Sequence, residues 1–220
     1  MADEQRFRIT FAKEGTFKYT SHLDLMRAWE RSLRRAGVPL AYSQGFNPRP
    51  KQQLAAALPL GHAGEQEIID VWMERPISVE DLTRALVPVL PDGLRVKQVR
   101  QVSLEEPALQ TQVVSAEYQV TVEFPAEGDE APPTPEEMRH RVEQLLAAKE
   151  LPAQRRGREY DLRPLIEKLW LESVYRNAVT LGMQLAAREG ATGRAEAVVE
   201  ALGLDGYAPC YRRQRLIMED

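Results

Sequence analysis

The chain has 220 residues, with 29 lysines and arginines against 33 aspartates and glutamates, a formal net charge of −4. Hydrophobic residues make up 43% of it, enough to build the core of one large domain or two ordinary ones, and no apolar run is long enough to span a bilayer. The single cysteine, Cys210, excludes an intrachain disulfide and a cysteine-ligated cluster within one chain.

His22, His62 and His140 stand too far apart to show a metal-ligand spacing, so no metal and no cofactor is expected. Purified protein should carry neither iron–sulfur absorbance nor stoichiometric metal; about one iron or zinc per chain by elemental analysis would overturn this. The N-terminus has no signal-peptide h-region, and a cytoplasmic location is expected.

Residues 6–12 alternate, with Phe7, Ile9 and Phe11 on one side and Arg6, Arg8 and Thr10 on the other. That pattern predicts a half-buried strand with two arginines on its polar face. Ser21-x-x-Asp24 is a capping box with Asp in place of Glu, and Leu25, Trp29 and Leu33 form an apolar stripe. A helix over about 23–36 follows, stopped by Gly37 and Pro39. Tyr42 to Pro50, with Gly45, Pro48 and Pro50, reads as a shaped loop between a short strand at Leu40–Ser43 and an extended segment at 53–58. A strand at Glu65–Met73, a helix from Val79 to Leu90 and a strand at Leu94–Val102 complete a β-α-β-β-α-β order. This is the ferredoxin-like arrangement, with helices on one face of the sheet and the other face open.

The order then repeats. Val113–Phe124 alternates as a strand, and Glu127–Pro135 is acidic and proline-rich, read as a mobile loop. Thr134-Pro135-Glu136-Glu137 opens a helix. Strands follow at Arg158–Leu171 and Asn177–Ala187, then a helix at Arg194–Leu202 and a strand at Arg212–Met218. The expected fold is α+β, two tandem ferredoxin-like units over 1–106 and 112–220, with one larger α+β domain as the alternative.

Between His22 and Lys51 the positive residues are Arg27, Arg31, Arg34, Arg35, Arg49 and Lys51, and the negative ones only Asp24 and Glu30, a local +4 on an acidic chain. That balance points to an anion, phosphate above all, although a solvated helix face is the plainer reading of the helix arginines. The loops 18–24 and 42–50 are expected to converge at the positive end of the helix. They would gather Lys18, Tyr19, Ser21, His22, Asp24, Tyr42, Ser43, Phe46, Asn47 and Arg49, with aromatics stacking and arginines holding phosphate. His22, in a polar loop beside Tyr19 and Ser21, has the residue type and place of a general acid or base; bracing the two loops is the plainer alternative.

Gln154-Arg155-Arg156-Gly157-Arg158 is a second basic cluster. Asp161 and Arg163 after it either pair with each other or grip a ligand, which makes Arg163 an outlying candidate. Gly182 and Gly190-Ala191-Thr192-Gly193 invite a phosphate-loop reading but lack a following Lys-Ser/Thr, and Cys210 has no neighbouring histidine to activate it.

Several blocks carry a family resemblance: Phe11-x-Lys13-x-Gly15, Tyr19-x-Ser21-His22-Leu23-Asp24-Leu25, Arg34-Arg35-Ala36, Tyr42-Ser43-x-Gly45-Phe46-Asn47-Pro48-x-Pro50 and Leu58-Pro59-Leu60-Gly61. With the weaker Tyr160-Asp161-Leu162-Arg163-Pro164-Leu165-Ile166, they make the chain resemble the radical-SAM-linked protein family. This is a bacterial domain of unknown function, found beside or fused to cobalamin-type radical SAM proteins. The resemblance implies a radical SAM protein as partner, while the single cysteine rules out radical SAM chemistry within this chain. Three functions follow as expectations: an accessory module that binds RNA or another anionic ligand for that partner, a metal-independent ribonuclease using His22, or a purely structural subunit. The second draws on a fold-level similarity to CRISPR repeat-RNA endoribonucleases.

Overall fold

The computed structural model describes residues 4–125 and 132–219. The chain divides into two compact units. One runs through Val113 and takes in Met218 and Glu219; the other is Val114–Ile217. Most of the expected Glu127–Pro135 loop lies outside the described residues. No described helix is long and apolar enough to cross a membrane.

The first unit contains β1 (Gln5–Lys13), α1 (His22–Arg35), β2 (Gln52–Leu54), β3 (Ala63–Met73), α2 (Val79–Leu86) and β4 (Leu94–Val102). Its strands lie in the order β2-β3-β1-β4, each pair antiparallel. Alternation puts Phe7, Ile9 and Phe11 of β1 with Ile69, Val71 and Met73 of β3 on one face. The stripes Leu25, Trp29, Leu33 of α1 and Leu82, Leu86 of α2 join them in one buried cluster. Trp29 is fully buried, its ring edge-on to Phe11 with centroids 4.9 Å apart. Each of these large side chains contributes roughly 1.5–3 kcal/mol of apolar burial.

The second face of this sheet departs from the sequence expectation. Arg6 and Arg8 are not on a solvated face but buried, 2% and 5% exposed, against Asp70 of β3, which is at 0%. Asp70 Oδ1 accepts from Arg8 Nε (2.9 Å), and Oδ2 accepts from Arg6 Nε (2.8 Å) and Arg8 Nη2 (3.0 Å). The segment after β4 lies across these side chains. Glu106 and Pro107 offer their carbonyls to Arg6, the Glu106 carboxylate sits 3.1 Å from Arg8, and Leu109 is fully buried. Burial alone would lower the Arg8 pKa, but the hydrogen bond and charge of Asp70, then those of Glu106, raise it above its ordinary value. The segment between the two expected units, 107–111, is thus part of a strap on the first unit.

The second unit contains β5 (Val113–Glu123), α3 (Pro135–Ala147), β6 (Pro152–Arg155), β7 (Arg158–Asp161), β8 (Ile166–Tyr175), β9 (Ala178–Arg188), β10 (Ala191–Thr192), α4 (Ala195–Ala201) and β11 (Ala208–Met218). Its main strands lie in the order β8-β9-β5-β11. The capping box at Thr134 and Glu137 is formed in full at the start of α3, which lies against β8. Two expectations are corrected. The strand Arg158–Leu171 is broken by a short 3-10 turn at Arg163–Leu165, because Pro164 cannot continue a ladder, and β7 instead pairs with β6 as a separate hairpin. Leu40–Ser43 forms only isolated bridges, at Leu40–Met73 and Tyr42–Pro50. Gly182 serves packing, in keeping with the missing Lys-Ser/Thr after it: an added Cβ would lie 2.1 Å from the indole of Trp170, its cross-strand partner.

The Asp70 network generates the first prediction about stability. Asp70→Ala leaves two buried guanidiniums without their shared acceptor and should cost about 3–5 kcal/mol in a urea unfolding curve. A loss under about 1 kcal/mol would show that the network is not the constraint it looks to be.

Candidate functional site

The stretch 14–54 is built outward from β1. Lys13, buried at the end of β1, donates from Nζ to the carbonyls of Thr20 (2.9 Å) and Lys18 (3.4 Å), which pins the turn between β1 and α1. Ser21 caps α1: its Oγ accepts from the Asp24 N–H at 3.2 Å and donates to Asp24 Oδ2 at 2.7 Å, while Asp24 Oδ1 takes Arg27 Nη1 at 3.2 Å. Ser21 and Asp24, expected on the ligand, are therefore engaged in starting the helix. The Ser21 hydroxyl holds the Asp24 carboxyl below its ordinary value, with Arg27 adding to it.

His22, the first residue of α1, lines a cavity of about 410 Å³ with Met26, Lys51, Gln52, Gln53, Leu54, Trp72 and Gln110. Three of the lining side chains are amides and one is an indole. Gln52 Nε2 donates to the Met26 carbonyl (3.0 Å), and its Oε1 is buried with no hydrogen-bond partner among the described residues. Gln53 accepts from the Leu109 N–H (3.0 Å) and donates to Gln110 (3.2 Å), so the strap forms part of the wall. Trp72 packs against Arg6, 5.0 Å from ring centroid to guanidinium carbon. Lys51 is held by Glu4 at 2.6 Å.

The loop 42–50 does not line this cavity. It leaves the sheet edge at the level of Trp72, where Ala41 N–H donates to the Trp72 carbonyl and Trp72 N–H to that of Lys51. Tyr42 lies under Arg34, 5.9 Å from its guanidinium, near the far end of α1 from His22. The expected return strand is too short to carry the loop back to the start of α1. The segment that reaches His22 is 51–54 instead. The loop is nonetheless a built structure: Ser43 N–H donates to the Arg49 carbonyl (2.8 Å), Ser43 Oγ accepts from the Arg49 N–H (3.0 Å), and Gly45 takes φ 131°, a region that favours glycine. It presents Phe46 fully exposed, at 106%, with Asn47 and Arg49 beside it and no ion pair on Arg49 among the described residues.

Of the local positive charges, Arg27, Arg34 and Lys51 are ion-paired with Asp24, Glu30 and Glu4. Arg31, Arg35 and Arg49 have no such partner among the described residues. Lys18 and Tyr19 form a further exposed patch: the Lys18 ammonium stands 5.1 Å from the Tyr19 ring, Tyr19 is 64% exposed, and Leu23 and Leu60 are exposed as well. Arg163 is not at this site. Its Nε donates to the Leu146 carbonyl (3.0 Å) at the end of α3 and its Nη1 to that of Ile166 (3.1 Å), while Asp161 Oδ1 accepts from the backbone of Leu151 and Arg163. The expected Asp161–Arg163 side-chain pair is replaced by two separate backbone clamps. Cys210 is exposed and free. Among the described residues, no group of three or more His, Cys, Asp or Glu is placed to hold a metal ion.

Residues 6–195 match the family described as "Uncharacterized protein conserved in bacteria (DUF2344)", and the chain belongs to that family. No curated protein matches the sequence. Among solved structures, the fold is similar to a chain in the structure of an H/ACA RNP bound to a substrate RNA containing 2′-deoxyuridine, at 12% identity and TM-score 0.52, over 97% of this chain and 49% of that one. It is also similar to a chain of the archaeal box H/ACA sRNP Nop10–Cbf5 complex, at 13% identity and TM-score 0.50, over 97% and 49%. The chain spans about half the length of these solved chains, and the likeness is one of fold.

The cap at the start of α1 generates a pH prediction. A carboxyl whose pKa is lowered by folding stabilises the folded state above its ordinary value, 3.8 for Asp24, and loses that contribution as pH falls through the lower folded value. In an NMR titration Asp24 should titrate below 3.8 in the parent and closer to it in Ser21→Ala. An unchanged titration in the variant would mean that the serine hydroxyl is not the cause.

Proposed function

We propose that the chain is an accessory recognition module which binds single-stranded RNA, or another phosphate-bearing ligand, for a radical SAM partner. Its architecture in this reading is two tandem ferredoxin-like units. Support for the architecture comes from the strand orders β2-β3-β1-β4 and β8-β9-β5-β11, each with its first strand between its third and fourth. Support for the partner is the sequence resemblance described above.

The observation that carries the ligand reading is the loop 42–50. Its backbone is closed by Ser43 and Arg49, yet Phe46 is left wholly in solvent beside Asn47 and Arg49. An exposed phenylalanine on an ordered loop costs solubility and contributes nothing to the core. It is suited to stacking on a base, worth about 1–3 kcal/mol per base, with an arginine at hand for the phosphate. The fold likeness to a chain of an assembly bound to a substrate RNA is in keeping with this. A second reading, RNA cleavage with His22 as general acid or base, has in its favour the exposed position of His22 at an amide-lined cavity.

Fluorescence anisotropy with a short unstructured RNA at low salt tests the proposal. Phe46→Ala/Arg49→Ala should weaken binding at least about tenfold. Loss of the Arg49 contact should lower the slope of log K against log salt by about 0.7, and the melting temperature should move by less than about 2 °C. A parent chain that binds no RNA, or a double variant that binds equally, overturns the module. Cleavage products that vanish in His22→Ala would favour the second reading.

A further inference from the structure

The second unit carries a basic hairpin that the function proposed above does not use. Strands β6 and β7 form a two-stranded sheet of their own, joined by the turn Arg156-Gly157. Both turn residues have positive φ, 50° and 77°, the geometry of a tight primed turn that suits the twist of a hairpin. Its base is fixed: Leu162 N–H donates to the Leu151 carbonyl, and Asp161 Oδ1 accepts from the backbone of Leu151 and Arg163.

The chemistry of its tip runs against stability. Arg155 and Arg158 are direct cross-strand partners, and like charges in that relation repel. A third arginine, Arg156, occupies a positive-φ turn position that favours glycine or asparagine. An isolated two-stranded ribbon is marginal in water and has little stability to give up. Among the described residues none of the three arginines has an ion pair.

Strand alternation places Arg155 and Arg158 on the same face as Tyr160. Arg155, Arg158 and Tyr160 line a cavity of about 400 Å³, closed on its other sides by Leu165, Gly190 and Thr192. The Tyr160 Oη is buried and has no hydrogen-bond partner among the described residues. A buried hydroxyl without a partner carries a desolvation penalty that a ligand oxygen would remove. Glu159 and Asp161 also border the cavity, but alternation puts them on the opposite face of β7, and Asp161 Oδ1 is already taken by two N–H groups.

We infer that the β6–β7 hairpin is a phosphate-binding site, in which Arg155 and Arg158 hold a phosphate group in forked, charge-assisted hydrogen bonds and the Tyr160 hydroxyl donates to one of its oxygens. The bound dianion or diester relieves the repulsion between the two guanidiniums and satisfies the orphaned phenol. Either a nucleic-acid backbone or a small phosphate compound presents this chemistry.

The test uses the full chain carrying Phe46→Ala/Arg49→Ala, so that the loop 42–50 of the first unit does not report. Calorimetric titration with inorganic phosphate at low ionic strength should show binding in the millimolar range or tighter. Arg155→Gln/Arg158→Gln should weaken it at least about tenfold and Tyr160→Phe about threefold to fivefold. If a short single-stranded RNA displaces the phosphate, the site takes a nucleic-acid backbone; if it does not, the site takes a small phosphate compound. A chain that takes up no phosphate overturns the assignment, as does a double-arginine variant that takes it up unchanged. Should that variant fail to fold, Tyr160→Phe, which removes one hydroxyl, decides: unchanged affinity counts against the site. The loop 42–50 is silent throughout, so failure here leaves the reading of the first unit untouched.

Discussion

Asp70 is a carboxylate shut away from water between two arginines, and much of the first unit follows from the need to satisfy it. Its charge is tolerable only because both oxygens accept hydrogen bonds from Arg6 and Arg8. That requirement locks the register of β1 against β3, since a slip by one residue would turn Asp70 into the helix-facing core beside Ile9 and Phe7. The N–H groups left over on the two guanidiniums need acceptors of their own. They find them in the carbonyls of Glu106 and Pro107, the Glu106 carboxylate and Gln112. The strap 103–112 is therefore drawn across the sheet, Leu109 is buried under it, and Gln110 is brought to Gln53. The wall of the His22 cavity is thus a distant consequence of one buried acid.

Around α1 the side chains divide by what they are used for. Lys13, Ser21, Asp24 and Ser43 hold backbone in place, through the Thr20 carbonyl, the start of the helix and the base of the loop 42–50. Tyr19, Leu23, Phe46 and Leu60 stand in solvent. A rigid frame with exposed apolar and aromatic side chains is poorly suited to proton transfer, which needs converging polar groups, and well suited to contact. The cavity at His22 differs in kind: it is lined by amides, and the unpartnered Gln52 Oε1 is its one open hydrogen-bonding atom that is buried.

What could be read from the sequence was what local physics decides. The periodic stripes of α1 and β1, the serine cap at Ser21 and the helix start at Thr134 all appear where short-range pattern put them. Less legible was everything set by partners far away in sequence. Arg6 and Arg8 looked like a solvated face because alternation reports which side a residue takes, not what covers that side. An aspartate inside the apolar run Ile68-Ile69-Asp70-Val71-Trp72 was the signal that a buried cation lay across from it. Pro164 likewise marked the break between β7 and β8. The course of the chain after α1 was less legible: the return stops at isolated bridges, and residues 51–54, not the loop 42–50, line the cavity with His22.

The charge pattern constrains how such a chain can recognise an anion. Its net charge is −4, so at long range it offers a polyanion no attraction, and at physiological salt fields fade beyond about 8 Å in any case. On α1 the pairs Arg27–Asp24 and Arg34–Glu30 are too exposed to add much stability. Their effect is to cancel two of the positive charges locally and leave Arg31, Arg35 and Arg49 as the unopposed ones. The same holds at the β6–β7 tip, where Arg155, Arg156 and Arg158 have no carboxylate partners among the described residues. In the proposed reading, binding would depend on short-range contact at a few fixed cations and on aromatic stacking, not on electrostatic steering. Such a module would discriminate by the placement of a phosphate relative to a base or a hydroxyl, and a uniformly charged polymer without that placement would gain little from it.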